Sequence, residues 1–223
     1  MFRLWQAGGR GRAQRIANKG LVPQAGFGTA ITGLSNQDME DIRKITEIGH
    51  GGRRKGRHLA RQRLVDGDPA SELAIEPILE WAKEAKAMHR RDDGACTRAE
   101  LALYWQGACK RNTKKWCNAR GPADVTRLSL HRLGWSWPKP WVLANEQGLE
   151  FDMTAASLPL LRWQLRETGR RRLEQQVAKA MQQRGWQETG EALSGAIPRR
   201  VMAESKHGPC SKGIARSIAL GTW

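Results

Sequence analysis

Apolar positions recur along this chain at helical spacing, and glycines and prolines mark where each helix stops. Ser35 stands three residues before Asp38 in a cap-like arrangement. Behind it Met39, Ile42, Ile45 and Ile48 repeat every third position as far as Gly49, which predicts a first helix with those four side chains inward. A glycine-basic loop, GHGGRRKGR over residues 49–57, then leads into a short helix ending near Val65. Asp68-Pro69 is an N-cap with proline at the first helical position. Pro77 forbids one straight helix, so a second piece is expected from Pro77 to Met88, with Ile78, Trp81, Ala82 and Ala85 on one face.

Asp92-Asp93-Gly94 is a turn, and Thr97-Arg98-Ala99-Glu100 is a capping box that opens a helix through Leu101, Tyr104, Trp105 and Ala108. Gly121-Pro122 ends that helix and starts the next, which runs to Gly134 with Val125, Leu128 and Leu133 as its apolar positions. Pro138 and Pro140 exclude helix, and WVL (141–143), NEQG (145–148) and LEF (149–151) read as a small β-hairpin. The longest helical signal is 157–184, where Leu161, Leu165, Leu173, Val177 and Met181 form a stripe interrupted by Gly169, a place for a bend. The expected fold is therefore mainly α, an irregular helical bundle with one small β-hairpin near 141–151. It occupies residues 26–189, between a basic flexible arm (1–25) and a loose basic tail (190–223), both disordered.

The stretch RLSLHRLGWSWPKPW, residues 127–141, places Trp135, Trp137 and Trp141 behind Arg127, His131 and Arg132. Aromatic rings beside arginines make a platform for unpaired bases. Alternation along an extended, proline-held segment instead puts Trp135 and Trp137 on one face, covering the helix they follow. The second reading is preferred: these rings form the joint between helix and hairpin.

Charge narrows the partners. Lys and Arg number 38 against 22 Asp and Glu, a net charge of +16, and 26 of the cations are arginine. Guanidinium matches phosphate with two prongs and stacks on bases, which points to nucleic acid, RNA or single-stranded DNA. No apolar run approaches the roughly 20 residues needed to span a bilayer, so no membrane partner is expected. Before the first acidic residue, Asp38, come Arg3, Arg10, Arg12, Arg15 and Lys19. That start has some character of a transit peptide, although Gly8, Gly9 and Gly11 interrupt any amphipathic helix.

Two basic stretches are the candidate nucleic-acid contacts. In the glycine-basic loop, Arg53, Arg54, Lys55 and Arg57 supply charge beside exposed N–H groups. In the 157–184 helix, Arg162, Arg166, Arg170, Arg171 and Arg172 lie mostly off the apolar stripe and face out. Other motifs fail on chemistry. GFGTAITGLS (26–35) has the glycine spacing of a phosphate-binding loop, but Leu34 stands where the lysine is needed. Cys96, Cys109, Cys117 and Cys210 include no CxxC pair, and no metal or cofactor is expected. Asp66 with Asp68 and Asp92 with Asp93 are better explained as cap and turn than as a two-metal nuclease centre. No catalytic site is expected.

The segments GFGTAITGLSNQDMEDIRK (26–44), DGDPASELAIEPILEWAKEA (66–85), ARGPADVTRLSLHRLGWSW (119–137), RRRLEQQVAKAM (170–181) and IPRR (197–200) occur in one order. That order resembles the helical region downstream of the polymerase domain in non-LTR-type retroelement reverse-transcriptase polyproteins, of the kind abundant in dinoflagellate algae. The resemblance implies a connecting piece with an adjacent polymerase domain as partner, followed by a Cys/His cluster. The polymerase's paired aspartates are absent here, so no family catalytic residue carries over, and the chain would be a fragment or degenerate copy. The contrasting expectation is an organellar RNA-binding or ribosome-associated structural protein with residues 1–25 as its address.

Overall fold

The computed structural model describes residues 15–49, 59–90 and 98–183. The fold is mostly helical with a small antiparallel sheet, as the apolar periodicity predicts. A π-helical segment, Ala17–Leu21, runs into α1 (Val22–Ala25), followed by α2 (Thr29–Thr32), α3 (Asn36–Gly49), α4 (Leu59–Asp66), α5 (Pro69–Ala74) and α6 (Glu76–Arg90). Then come α7 (Arg98–Arg111), a 3-10 turn at Trp116–Asn118, α8 (Pro122–Leu133), strands β1 (Ser136–Lys139), β2 (Val142–Ala144) and β3 (Glu150–Asp152), and the long α9 (Leu158–Gln182). The glycine-basic loop from His50 to His58, the cap at Thr97, the Asp92–Gly94 turn and the tail from 190 lie outside the described residues.

Helix α8 is the hub. Ala123, Val125, Leu128, Leu130 and Leu133 are buried, but so are Asp124, Thr126 and Ser129 on its other sides. Helices α6, α7 and α9 and the sheet enclose it in one core that also holds Ile78, Leu79, Trp135, Leu143 and Leu165. A second cluster joins α1, α3 and α5 through Val22, Leu34, Met39, Ile42, Ala70 and Ala74. A third is formed where Leu64 of α4 meets Val177 of α9, with Ala60 and Leu173 beside them. Residues 15–25, expected as part of an arm, are helical and anchor to this body through buried Ala17 and Val22.

Local rules explain where the elements begin and end. The Ser35 hydroxyl accepts from the Asp38 N–H at 3.1 Å, and the Asp38 carboxylate accepts from the Ser35 N–H at 2.9 Å, so α3 opens on a reciprocal cap. Its inward face differs from the expected run of isoleucines. A step of three residues falls short of a helical turn, and at roughly 100° per residue Ile48 ends up opposite Met39. Ile48 is 40% exposed, and Thr46 and Glu47 are buried in its place. Pro77 separates α5 from α6 as expected, with the break at Ile75.

The hairpin is present with β2 pairing β3, Leu143 opposite Phe151. A further strand, β1, pairs with β2 on the other side through an irregular register. Pro138 fits there because β1 is an edge strand, where a missing N–H breaks no interior ladder. The Trp joint is built as the alternation implies. Trp135 and Trp137 are both buried, Trp135 stacked on Phe151 at 5.3 Å and Trp137 edge-on to Trp81 at 5.0 Å. Each indole N–H has an acceptor: Thr168 Oγ1 for Trp135 at 3.2 Å and the Pro140 carbonyl for Trp137 at 3.3 Å.

Two glycines have opposite consequences. Gly33 has φ +69°, and a Cβ there would overlap Trp116 and Val125, so this close approach admits no side chain. Gly169 lies inside a continuous α9 with no break, and a Cβ there would meet only Leu133 at an ordinary 3.9 Å. Gly169→Ala is expected to stabilise the fold by about 0.5–1 kcal/mol in urea unfolding. Gly33→Ala should destabilise it by several times that amount in the same measurement. Equal effects at the two positions would contradict this account.

Candidate functional site

The arginines of α9 do face away from its apolar stripe, but they are tied to acids on neighbouring elements. Arg162 grips Glu76 of α6 with two prongs, at 2.8 and 3.4 Å. Arg166 meets Glu72 of α5 at 2.6 Å. Arg170 pairs with Glu174 at 3.1 Å, and Arg171 lies 3.8 Å from Glu167 and 3.9 Å from Glu146. These pairs are partly exposed, the Arg166–Glu72 side chains at 49% and 45%. Surface pairs of this kind contribute only about 0–1 kcal/mol, so an incoming phosphate can replace either partner at little cost. Arg53, Arg54, Lys55 and Arg57 lie outside the described residues.

Arg172 is different. Its Nη1 donates to the carbonyl of Arg132 at 2.6 Å, in the last turn of α8. There Gly134 takes a left-handed φ of +68°, and the Trp135 N–H returns to the Leu130 carbonyl. The guanidinium packs so closely on Gly134 that a Cβ there would overlap it. Arg132 reaches the other way. Its Nη2 donates to the Leu34 carbonyl at 2.7 Å and to Asn36 Oδ1 at 3.0 Å, and its guanidinium lies 4.6 Å from the Trp116 ring centroid. Burial, with the like charge of Arg43 adding and Asp38 opposing, brings the Arg132 pKa down to about 10. It therefore stays charged at neutral pH. Among the described residues neither Arg132 nor Arg172 makes an ion pair.

Both line a cavity of about 370 Å³ between α3, α4, α5, α8 and α9. Its walls carry six arginines (43, 63, 132, 166, 170 and 172) against three carboxylates, Asp68, Glu72 and Glu167. Trp163, 55% exposed, stands at its rim. Three polar atoms on this wall are buried without a hydrogen-bond partner: Ser129 Oγ, Arg132 Nη1 and Arg172 Nε. A neighbouring cavity of about 20 Å³, room for one water, is lined by Gln62 and Arg63, whose Oε1 and Nε are likewise buried and unpartnered.

No protein-family model, curated protein or solved structure matches this chain. The chemistry of the site must therefore be argued from its own residues.

Asp68 shows how the cavity wall is held. Its carboxylate makes no cap bond to α5, contrary to the N-cap expectation. It is turned instead onto Arg43, whose Nε and Nη2 donate at 3.0 and 2.6 Å, and it accepts from the Ser71 hydroxyl at 2.7 Å. Burial pushes this carboxyl up, but the hydrogen bonds and charge of Arg43, then Ser71, outweigh it and hold the pKa below the ordinary 3.8. Among the described residues no group of three or more His, Cys, Asp and Glu is arranged to hold a metal ion, and no helix is long and apolar enough to cross a membrane. The sequence gave weight to the α9 arginines and passed over Ser129. Nothing in a serine's spacing signals that its hydroxyl will be buried without a partner.

Because the folded-state pKa of Asp68 is depressed, its contribution to stability is complete above the unfolded value near 3.8. It is lost as the pH falls through the lower folded value. Unfolding free energy measured by urea from about pH 6 down to about pH 2 should fall less steeply at the acid end for Asp68→Asn than for the natural chain. Parallel acid limbs would show that Arg43 does not hold this carboxylate charged.

Proposed function

We propose that this chain is a non-catalytic helical segment that contacts nucleic acid, RNA or single-stranded DNA, in the manner of the connecting region of a retroelement-like polyprotein. The observation that carries the reading is the arginine-walled cavity, with six guanidiniums to three carboxylates and two of the cations lacking an ion pair. A polyanion supplies the missing counter-charge, both there and for the surplus of +16 over the whole chain. The exchangeable pairs along α9 extend the basic surface from the cavity, since Arg166 and Arg170 border the cavity and Arg171 continues the row. The order of segments from 26 to 200 supports the polyprotein context, with an adjacent polymerase domain as protein partner. The reading assigns the chain no catalytic role, cofactor or metal.

The test is fluorescence anisotropy of labelled single-stranded RNA and DNA between about 50 and about 200 mM salt. Affinity is expected to fall with a log–log slope of about −0.7 per phosphate contacted and to vary little with sequence. Replacing Arg166, Arg170 and Arg171 together by Ala should weaken binding at least about tenfold. Losing their exposed pairs should change the unfolding free energy by no more than roughly 1–2 kcal/mol. Affinity that does not respond to salt would sink the proposal.

A further inference from the structure

The cavity has a more specific chemistry than its excess charge. We infer that it takes a single nucleotide unit, its phosphate held by Ser129, Arg132 and Arg172 and its base stacked on Trp163. This rests on the nucleic-acid reading and narrows it to one site.

Buried polar atoms in native proteins are nearly always hydrogen-bonded. Here Ser129 Oγ, in a residue 1% exposed, Arg132 Nη1 and Arg172 Nε all lack a partner and all line the same cavity. Their grouping follows from the helices. Ser129 and Arg132 are three residues apart on α8 and share a face. Arg172 comes from α9 and is fixed to the same turn by its bond to the Arg132 carbonyl. A hydroxyl and two guanidiniums are a donor set for the oxygens of a tetrahedral oxyanion. The carboxylates of the wall do not satisfy them, because each is engaged: Asp68 by Arg43, Glu72 by Arg166 and Glu167 by Arg171.

Size and lining extend the ligand beyond a bare phosphate. A volume of about 370 Å³ lies in the range of small-molecule sites. The remaining wall includes Met39, Ala74, Ile75, Leu165 and Leu173, an apolar surface that an inorganic anion would leave uncovered. Trp163 precedes Arg172 by nine positions on α9, about 14 Å along the helix axis. Allowing for the reach of both side chains, a nucleotide can set its phosphate at one end and its base at the other. The Trp163 indole is the one tryptophan on this wall and is exposed enough to receive a base.

The experiment is titration calorimetry of the full chain with adenosine 5′-monophosphate, ribose 5-phosphate and adenosine. The monophosphate should bind more tightly than either part alone. Trp163→Ala should lower its affinity to that of ribose 5-phosphate and leave ribose 5-phosphate binding unchanged. Ser129→Ala removes an unpartnered hydroxyl, so the melting temperature without ligand should hold or rise, while affinity for both phosphates drops about tenfold. Oligonucleotides with and without a 5′-phosphate locate the source. A preference for the phosphorylated end puts a strand terminus in the cavity, and no preference makes the free mononucleotide its occupant; either sustains the inference. No heat with the monophosphate at about 1 mM, or a Ser129→Ala chain that binds it as the natural one does, overturns the inference. Salt-dependent oligonucleotide binding in that case leaves the broader reading standing. If oligonucleotides fail to bind as well, both fall.

Discussion

A helix enclosed on nearly every side can carry a carboxylate only if that charge is answered where it lies, and α8 meets this condition at Asp124. The side chain is 0% exposed, and Arg111 of α7 reaches it with Nε and Nη2 at 3.0 Å while the Arg120 N–H donates at 2.9 Å. The position is the third residue of the helix, where the unsatisfied N–H groups and the helix dipole also favour an anion. The clamp thus fixes α7 and the turn before α8 at once. Thr126 is answered as well, by donating to the Pro77 carbonyl at 3.2 Å at the head of α6. With these groups satisfied, α6, α7, α9 and the sheet can close around α8 without an orphaned charge.

The arginine content has a structural meaning beside its functional one. Arg127 donates to the Ala108 carbonyl at 3.1 Å and to Asn112 at 2.8 Å, finishing α7. Arg172 does the same for α8, and Arg132 ties α8 to the start of α3. These tasks need a planar fork with several donors, which an ammonium does not provide. Part of the preference for arginine over lysine is therefore internal architecture. The bare surplus is concentrated where Arg132 and Arg172 meet.

Much of this fold was legible in the chain because helix signals are local. Ile78, Trp81, Ala82 and Ala85 share a buried face as their spacing requires, and Gly134 ends α8 where a left-handed residue is needed. What escaped notice depends on distant partners. Nothing near Glu47 announces that Arg63 will bury it, at 3.0 Å. Nothing near Pro138 announces that an edge position will make it tolerable in a strand. The arginine row of α9 was visible, but its acidic partners Glu72, Glu76 and Glu146 come from three other elements. The cavity was invisible for the same reason, since its walls are drawn from residues 39 to 176.

The three hydrophobic clusters meet at that cavity: Met39 and Ala74 belong to one, Ile75, Leu133 and Leu165 to another, and Leu64 and Leu173 to the third. A space at such a junction is where separate cooperative units touch least, and so where partial opening costs least. An occupant there acts as mortar. At a hundred times its dissociation constant, a ligand confined to the folded state adds about 2.7 kcal/mol. Here that increment would fall on the seam itself and turn three loosely joined packing units into one.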